Sequence, residues 1–358
     1  MRSANDNEQR LLEGRSAPDS AMPKVRRRSV AGASALIALA LAVVSPAVQA
    51  QQGGKVNRVG VLQSGSPATS ADLVEAFRQR LRELGYVEGR DIAIEVRYAD
   101  DSRYTAAQKP KRYRDLAADL VGLPVDVVVA GGTPATRAAK QMTSTVPIVM
   151  VSVGDAVAAG LVRSLARPGE NVTGQSFMGP EMAAKELDLL AEAFPRAKRI
   201  AALFDSGIAT GVGIRDIGAA ARARGVVLQP VGVQHPDDLE RALAPVGKAR
   251  PDAMIVYAVS FAQLSQVVEF AAKHRLPTIY GSRTAVDAGG LMSFGPKLPE
   301  LWRGAANYVD RILKGAKPGD LAVAQPTTFE FVVNLKTAKT LGVTIPPALL
   351  ARADEVVR

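Results

Sequence analysis

Short apolar runs alternate with longer amphipathic segments from residue 56 onward. Apolar or strictly alternating runs predict strands, whereas apolar positions three and four residues apart predict helices. In the first half, the predicted strands are residues 59–62, 92–98, 125–130 and 148–151, and the predicted helices are residues 71–84, 113–121 and 133–142. This order predicts a mainly parallel sheet with helices on both faces.

The same alternation of predicted strands and helices begins again after a turn-rich connection at residues 167–171. Here the predicted helices are residues 182–194, 214–224, 239–246 and 261–274, and the predicted strands are residues 200–204, 226–233, 253–257 and 278–280. The tail, residues 291–358, predicts one more strand, a helix at 300–313 and a mixed end. Two successive units of similar size predict an α/β protein with two similar lobes.

A basic cluster, a fifteen-residue apolar run from Val30 to Val44, and small residues at Val48 and Ala50 precede the first strand. This order is typical of a cleavable secretory signal peptide, and the run is shorter than the roughly 20 residues of a membrane span. We therefore expect residues 1–50 to be a disordered start plus signal peptide, and a periplasmic mature protein from Gln51. Initiation at Met22 and export by the twin-arginine route remain alternatives.

The absence of cysteine excludes disulfides, thiolate metal sites, cysteine nucleophiles and lipoprotein anchoring. The net charge of +10 is interspersed with acids, and seven Tyr, nine Phe and one Trp offer few stacking surfaces, so we expect no nucleic-acid binding. His235 and His274 have no partner at metal-ligand spacing. Dinucleotide, nucleoside-triphosphate and nucleophile-elbow motifs are absent. We expect no metal, no cofactor and no enzymatic activity.

Small, hydroxylated and glycine residues follow the predicted strands, at the edge where parallel sheets bind ligands. The turn at residues 131–134 is the clearest case, because threonine suits a helix cap and proline its first turn. The candidate ligand residues are Ser64, Ser66, Thr133 and Asp155 in the first lobe, and Asp205, Tyr257, Ser260 and Arg283 in the second. Hydroxyl and N–H groups would hold a carboxylate, and Asp155 or Asp205 an amine. Each could instead serve as a cap, Asp155 for a helix at about residues 157–165.

Several strings resemble the substrate-binding components of bacterial ABC transporters, in the group with tryptophan- and tyrosine-binding relatives. The matching segments are residues 126–130, 132–135, 147–149, 154–155, 160–162, 164–169, 171–174, 312–318, 334–338, 341–342 and 353–356. The chain departs from the family pattern at Ala156, at Glu170 and at Asp205 with Ser206. Because the last pair lines the expected cleft, the ligand of better-known relatives is not carried over.

The resemblance implies a type I periplasmic-binding-protein fold, in which two Rossmann-like lobes are joined by three crossings and hold a ligand between them. By this analogy lobe one comprises residues 51–173 with 292–322, and lobe two comprises residues 174–291 with 323–358. The implied function is a monomeric receptor that delivers an amino acid or other small carboxylate to an inner-membrane permease. A periplasmic sensor for a membrane signalling receptor, and an enzyme on a doubly wound fold, are the alternatives.

Overall fold

The computed structural model describes residues 55–100, 103–104, 107–177, 179–205, 211–233, 238–257 and 261–358, all within the compact unit Gly53–Arg358. The predicted signal peptide and Ser260 lie outside these ranges. None of the helices described is both long enough and apolar enough to span a membrane.

The first sheet is entirely parallel and has the strand order β2-β1-β3-β4-β5. Its elements are β1 Asn57–Gln63, α1 Pro67–Glu83, β2 Ile92–Tyr98, α2 Lys109–Gly122, β3 Val127–Gly131, α3 Thr133–Met142, β4 Ile148–Val153 and β5 Val172–Ser176. All five residues of β3 are buried, as expected for a central strand covered on both faces.

The second sheet has the order β12-β11-β10-β9-β8-β6-β7, parallel except where β11 runs against β10. Its strands and the remaining helices are α4 Gly179–Ala193, β6 Arg199–Asp205, α5 Gly211–Ala223, β7 Val227–Val233, α6 Leu239–Ala249, β8 Ala253–Tyr257, α7 Phe261–Lys273, β9 Thr278–Tyr280, α8 Arg283–Asp287, β10 Met292–Pro296, α9 Leu298–Leu313, β11 Phe329–Asn334, α10 Leu335–Leu341, α11 Pro347–Leu350 and β12 Glu355–Val357. The prediction of two α/β lobes with mainly parallel sheets is confirmed.

Helix α9 belongs to the first sheet although it follows a strand of the second. Its buried residues form one stripe, which packs with α1 against the first sheet, and Trp302 within it meets Phe77 edge to face at 6.5 Å. Within the described ranges, the chain therefore passes between the sheets three times, after β5, after β10 and before β11.

Two predicted lobe boundaries shift. Residues 292–296 were expected in lobe one, but Met292 and Ser293 pair with Ile279 and Tyr280 of β9, so the crossing follows Pro296. Residues 174–176 continue β5 in the first sheet, because Gly174 pairs with Met150 there. The local apolar pattern is the same in either sheet, and only the pairing assigns these strands. The other boundaries stay a prediction.

Candidate functional site

The carboxyl ends of β1, β3 and β4 meet at one edge of the first sheet. Gln63 lies opposite Gly131, and Gly131 lies opposite Val151. The hydroxyl of Ser64 donates a hydrogen bond of 2.5 Å to the carbonyl of Gly131, which ties the turn after β1 to the turn after β3. Two of the predicted loops are thus brought together as expected for adjacent parallel strands.

The turn between β3 and α3 is built around Gly132. Its φ of 91° lies in the region that favours glycine, and a side-chain carbon there would lie 3.0 Å from the Ser64 hydroxyl. Gly132, and not Thr133 as predicted, occupies the cap position of α3. Thr133 begins the helix, is 5% exposed, and its hydroxyl accepts a hydrogen bond of 3.3 Å from the backbone of Gly154. Thr133 therefore joins the loops after β3 and β4.

Ser152 adopts a strained backbone close to this edge. Its φ is 55°, and three residues of β4 span the distance that two residues of β5 cover, from Met150 to Val153. This bulge buries Val153 on the same side as Met150. The hydroxyl of Ser152 is buried and has no hydrogen-bond partner in the part of the chain described. A non-glycine residue held in this region costs about 1–3 kcal/mol, a strain that often marks a functional site.

Asp155 forms hydrogen bonds within its own loop. One carboxylate oxygen accepts from the backbone N–H groups of Val157 at 3.1 Å and Ala158 at 2.9 Å. The residues that follow form turns, so the helix expected at about 157–165 is absent from the structure. Asp155 therefore caps a turn instead of a helix. A contact of Asp155 with ligand stays a prediction.

Ser66 caps α1, and its backbone N–H donates to the hydroxyl of Thr69 at 3.1 Å. In the second sheet, Asp205 and Tyr257 end β6 and β8, where Phe204 lies beside Tyr257. The side chains of Asp205 and Tyr257, and the whole of Ser260, are not among the parts of the chain that the structure describes. Their roles stay predictions.

Arg283 begins α8 and is engaged by carboxylates. Its guanidinium donates two hydrogen bonds to Glu355 and lies 3.4 Å from Asp287 and 3.9 Å from Glu330. The hydrogen bond from Arg283 lowers the pKa of Glu355. A ligand carboxylate would have to compete with these contacts, so the structure supports an anchoring role for Arg283 between α8 and β12.

Gln63 was not predicted, yet it lies at the centre of this edge. It is 5% exposed, and its side-chain oxygen accepts a hydrogen bond of 2.8 Å from the backbone of Ser64. Its amide nitrogen is buried without a partner among the described residues. A glutamine that closes the apolar run of β1 was the available signal, because a buried amide needs a partner. Gln63 can therefore donate to a ligand.

No group of three or more His, Asp or Glu side chains in the described ranges could hold a metal ion. The chemistry of this edge is that of hydroxyl and N–H donors.

A profile of the family described as ABC transporter substrate binding protein matches residues 58–357. A tyrosine-binding protein from Clostridioides difficile is 26% identical over 295 residues, which cover 80% of this chain and 81% of the relative. Two solved structures each superpose over 84% of this chain and all of theirs. One is a conserved domain protein from Vibrio cholerae, with 28% identity and a TM-score of 0.76. The other is an ABC domain from Streptococcus pneumoniae in complex with L-Trp, with 26% identity and a TM-score of 0.77.

Proposed function

The chain belongs to the family of ABC transporter substrate-binding proteins, and we propose that it is an exported receptor that binds an amino acid or other small carboxylate between its lobes and delivers it to a membrane permease. The type I periplasmic-binding fold inferred from the sequence is confirmed by its structural neighbours. The family consists of solute-binding proteins rather than enzymes.

The donor-rich edge of the first sheet supports a carboxylate ligand. Gln63 has a buried amide nitrogen that finds no hydrogen-bond partner among the described residues, and the turn before α3 brings a helix N-terminus to the same place. Helix N-termini and N–H donors favour anions. The tyrosine-binding relative and the L-Trp complex support an amino acid within this class.

Thermal melts of the purified protein against amino acids, aromatic acids and other small carboxylates test the proposal. A ligand at 100 times its Kd should stabilise the folded protein by about 2.7 kcal/mol. Gln63→Leu should weaken binding of the best ligand by about 10-fold, because the amide donor is lost. Gln108→Leu, an exposed position before α2, serves as the matched control. A melting temperature unmoved by every compound would contradict the proposal.

A periplasmic location and a permease partner are part of the same proposal. They rest on the family and on the signal-peptide pattern of residues 1–50. Import of the labelled ligand by cells, compared between the wild type and a deletion strain, tests delivery. Unchanged uptake in the deletion strain would favour the sensing alternative.

A further inference from the structure

Glu186 is a buried acid in the second lobe with no role in the site described so far. It lies on α4, which packs against β8, β9 and β10, and it is 1% exposed. Its helical neighbours Ala183, Leu187 and Leu190 belong to the apolar core. Charged side chains are rarely buried this deeply unless they are paired.

The carboxyl of Glu186 lies beneath the turn that follows β9. A side-chain carbon built on Gly281 would be 3.2 Å from one of its oxygens. Gly281 follows Tyr280, the last residue of β9, and the strand register places Val256 of β8 beside Tyr280. The carboxyl therefore lies at the edge of the second sheet where β6, β8 and β9 end, which is the ligand edge of a parallel sheet. Glycine at position 281 keeps the space next to the carboxyl free of a side chain.

No hydrogen bond satisfies the second oxygen of Glu186 in the part of the chain described. Among the charged side chains described on α4, Asp188 pairs with Arg224, Glu192 pairs with Arg352, and Lys185 is exposed. Tyr280 of β9 packs on the opposite face of the sheet. Burial alone raises the pKa of Glu186 well above its ordinary value. A buried carboxyl oxygen without a partner is uncommon and unfavourable in folded proteins.

We propose that Glu186 is the group of the second lobe that binds a cationic nitrogen of the ligand. This inference rests on the proposed function and narrows it. The donors of the first lobe suit a carboxylate, and an acid in the second lobe suits an ammonium group, so together they select an amino acid over a nitrogen-free acid. Contact with the ammonium favours the ionised carboxylate, and any proton that the carboxyl releases on binding passes to the buffer.

The test uses the purified full chain, freed of bound small molecules by dialysis from denaturant. Titration calorimetry compares L-amino acids, including L-tyrosine and L-tryptophan, each with the deaminated acid of the same side chain. Glu186→Gln keeps the shape of the side chain and removes its charge. Glu192→Gln is the matched control, because Glu192 lies on the same helix and pairs with Arg352 at the surface. Repeating the titration in buffers of different ionisation enthalpy counts the protons released.

We expect the wild type to bind an amino acid at least 10-fold more tightly than its deaminated counterpart, with release of up to one proton near neutral pH. Glu186→Gln should weaken amino-acid binding about 10- to 150-fold, leave binding of the deaminated acid unchanged, and abolish proton release. Glu192→Gln should match the wild type.

Equal or tighter binding of the deaminated acid by the wild type would overturn the assignment, and so would full amino-acid affinity in a folded Glu186→Gln variant. If that variant does not fold, the preference and proton count of the wild type still decide. Binding of only nitrogen-free acids would overturn the role of Glu186 and leave the proposed function standing. Binding of no probe at all would overturn both.

Discussion

Asp155 and Arg283 carry charges at the ends of strands, and both have partners within the protein. Asp155 accepts two backbone hydrogen bonds in its own turn, whereas Arg283 joins α8 to Glu355 of β12. Charged groups in such positions contribute to folding as caps or ion pairs. At the scale of single residues, the partner that the fold supplies therefore decides what a charged side chain does.

Replacing Asp155 by Ala should lower the free energy of unfolding of the ligand-free protein by about 1 kcal/mol, because two backbone N–H groups lose their acceptor. Asp155→Asn keeps an acceptor oxygen and should have a smaller effect. Urea denaturation measures both variants. Unchanged stability together with weaker ligand binding would instead assign Asp155 to the ligand site alone.

Glu186 should make the ligand-free protein less stable as the pH rises. Its pKa is raised in the folded state, so the folded protein retains a proton that the unfolded chain loses above about pH 4.3. The contribution of protonated Glu186 to the free energy of unfolding is fully present below that pH, and it is lost as the pH rises through the raised pKa of the folded state.

Denaturation of ligand-free protein between about pH 4 and 9 measures this dependence. Glu186→Gln should remove this part of the decline, whereas Glu192→Gln should keep it. Parallel stability profiles for the wild type and Glu186→Gln would contradict the raised pKa.

At the scale of elements, the contact between β4 and β5 has little room. Gly174 of β5 has a φ of 128°, and a side-chain carbon there would lie 2.1 Å from the carbonyl oxygen of Met150. The same strand continues to Gln175, which bridges to Ala324 where the chain returns from α9. β5 therefore supports both the bulge at Ser152 and one of the crossings between the sheets.

Gly174→Ala should lower the free energy of unfolding by about 3 kcal/mol or more, because backbone strain and a steric clash add. Gly122→Ala is the matched control. Gly122 ends α2 and has no atom within 4 Å of the added carbon, so alanine should be neutral or stabilising by up to about 1 kcal/mol. Chemical denaturation compares the two, and equal effects would contradict the close approach of β4 to β5.

At the scale of the whole molecule, three crossings join the two sheets, as in proteins whose lobes move about a hinge. One residue separates β10 from α9, and four residues lie between Ala324, which bridges to Gln175, and the start of β11. Hinges of this kind close around a ligand, and a ligand stabilises closure through its higher affinity for the closed state.

Addition of the best ligand should therefore lower the radius of gyration measured by small-angle X-ray scattering. A compound that fails to shift the melting temperature serves as the control and should leave the radius unchanged. An unchanged radius with saturating ligand would show binding without closure.

The proposed export also concerns the whole chain. The mature N-terminus should fall at or near Gln51, because the small residues Val48 and Ala50 suit the signal-peptidase site. N-terminal sequencing of the periplasmic fraction measures this. Full-length protein retained in the membrane would contradict it, and Ala50→Arg, which blocks such a site, should produce that retention.

The sequence by itself determined the type and order of most elements and the overall class of fold. Helix α3 was predicted with the observed bounds, and β3 within two residues at its start, because apolar runs and helical spacing are local properties. The edge of the first sheet was predicted too, since loops after adjacent parallel strands must meet.

Only the tertiary structure decided which sheet β10 joins, that Gln63 and Ser152 have buried groups without partners, and that Glu186 lies under Gly281. These features depend on strand register and helix packing between residues far apart in the chain. An apolar strand has the same sequence pattern in either sheet. A glutamate on an amphipathic helix is predicted to be exposed to solvent until its neighbours are known. Burial and the lack of a partner are properties of the packed chain, so no local pattern contains them.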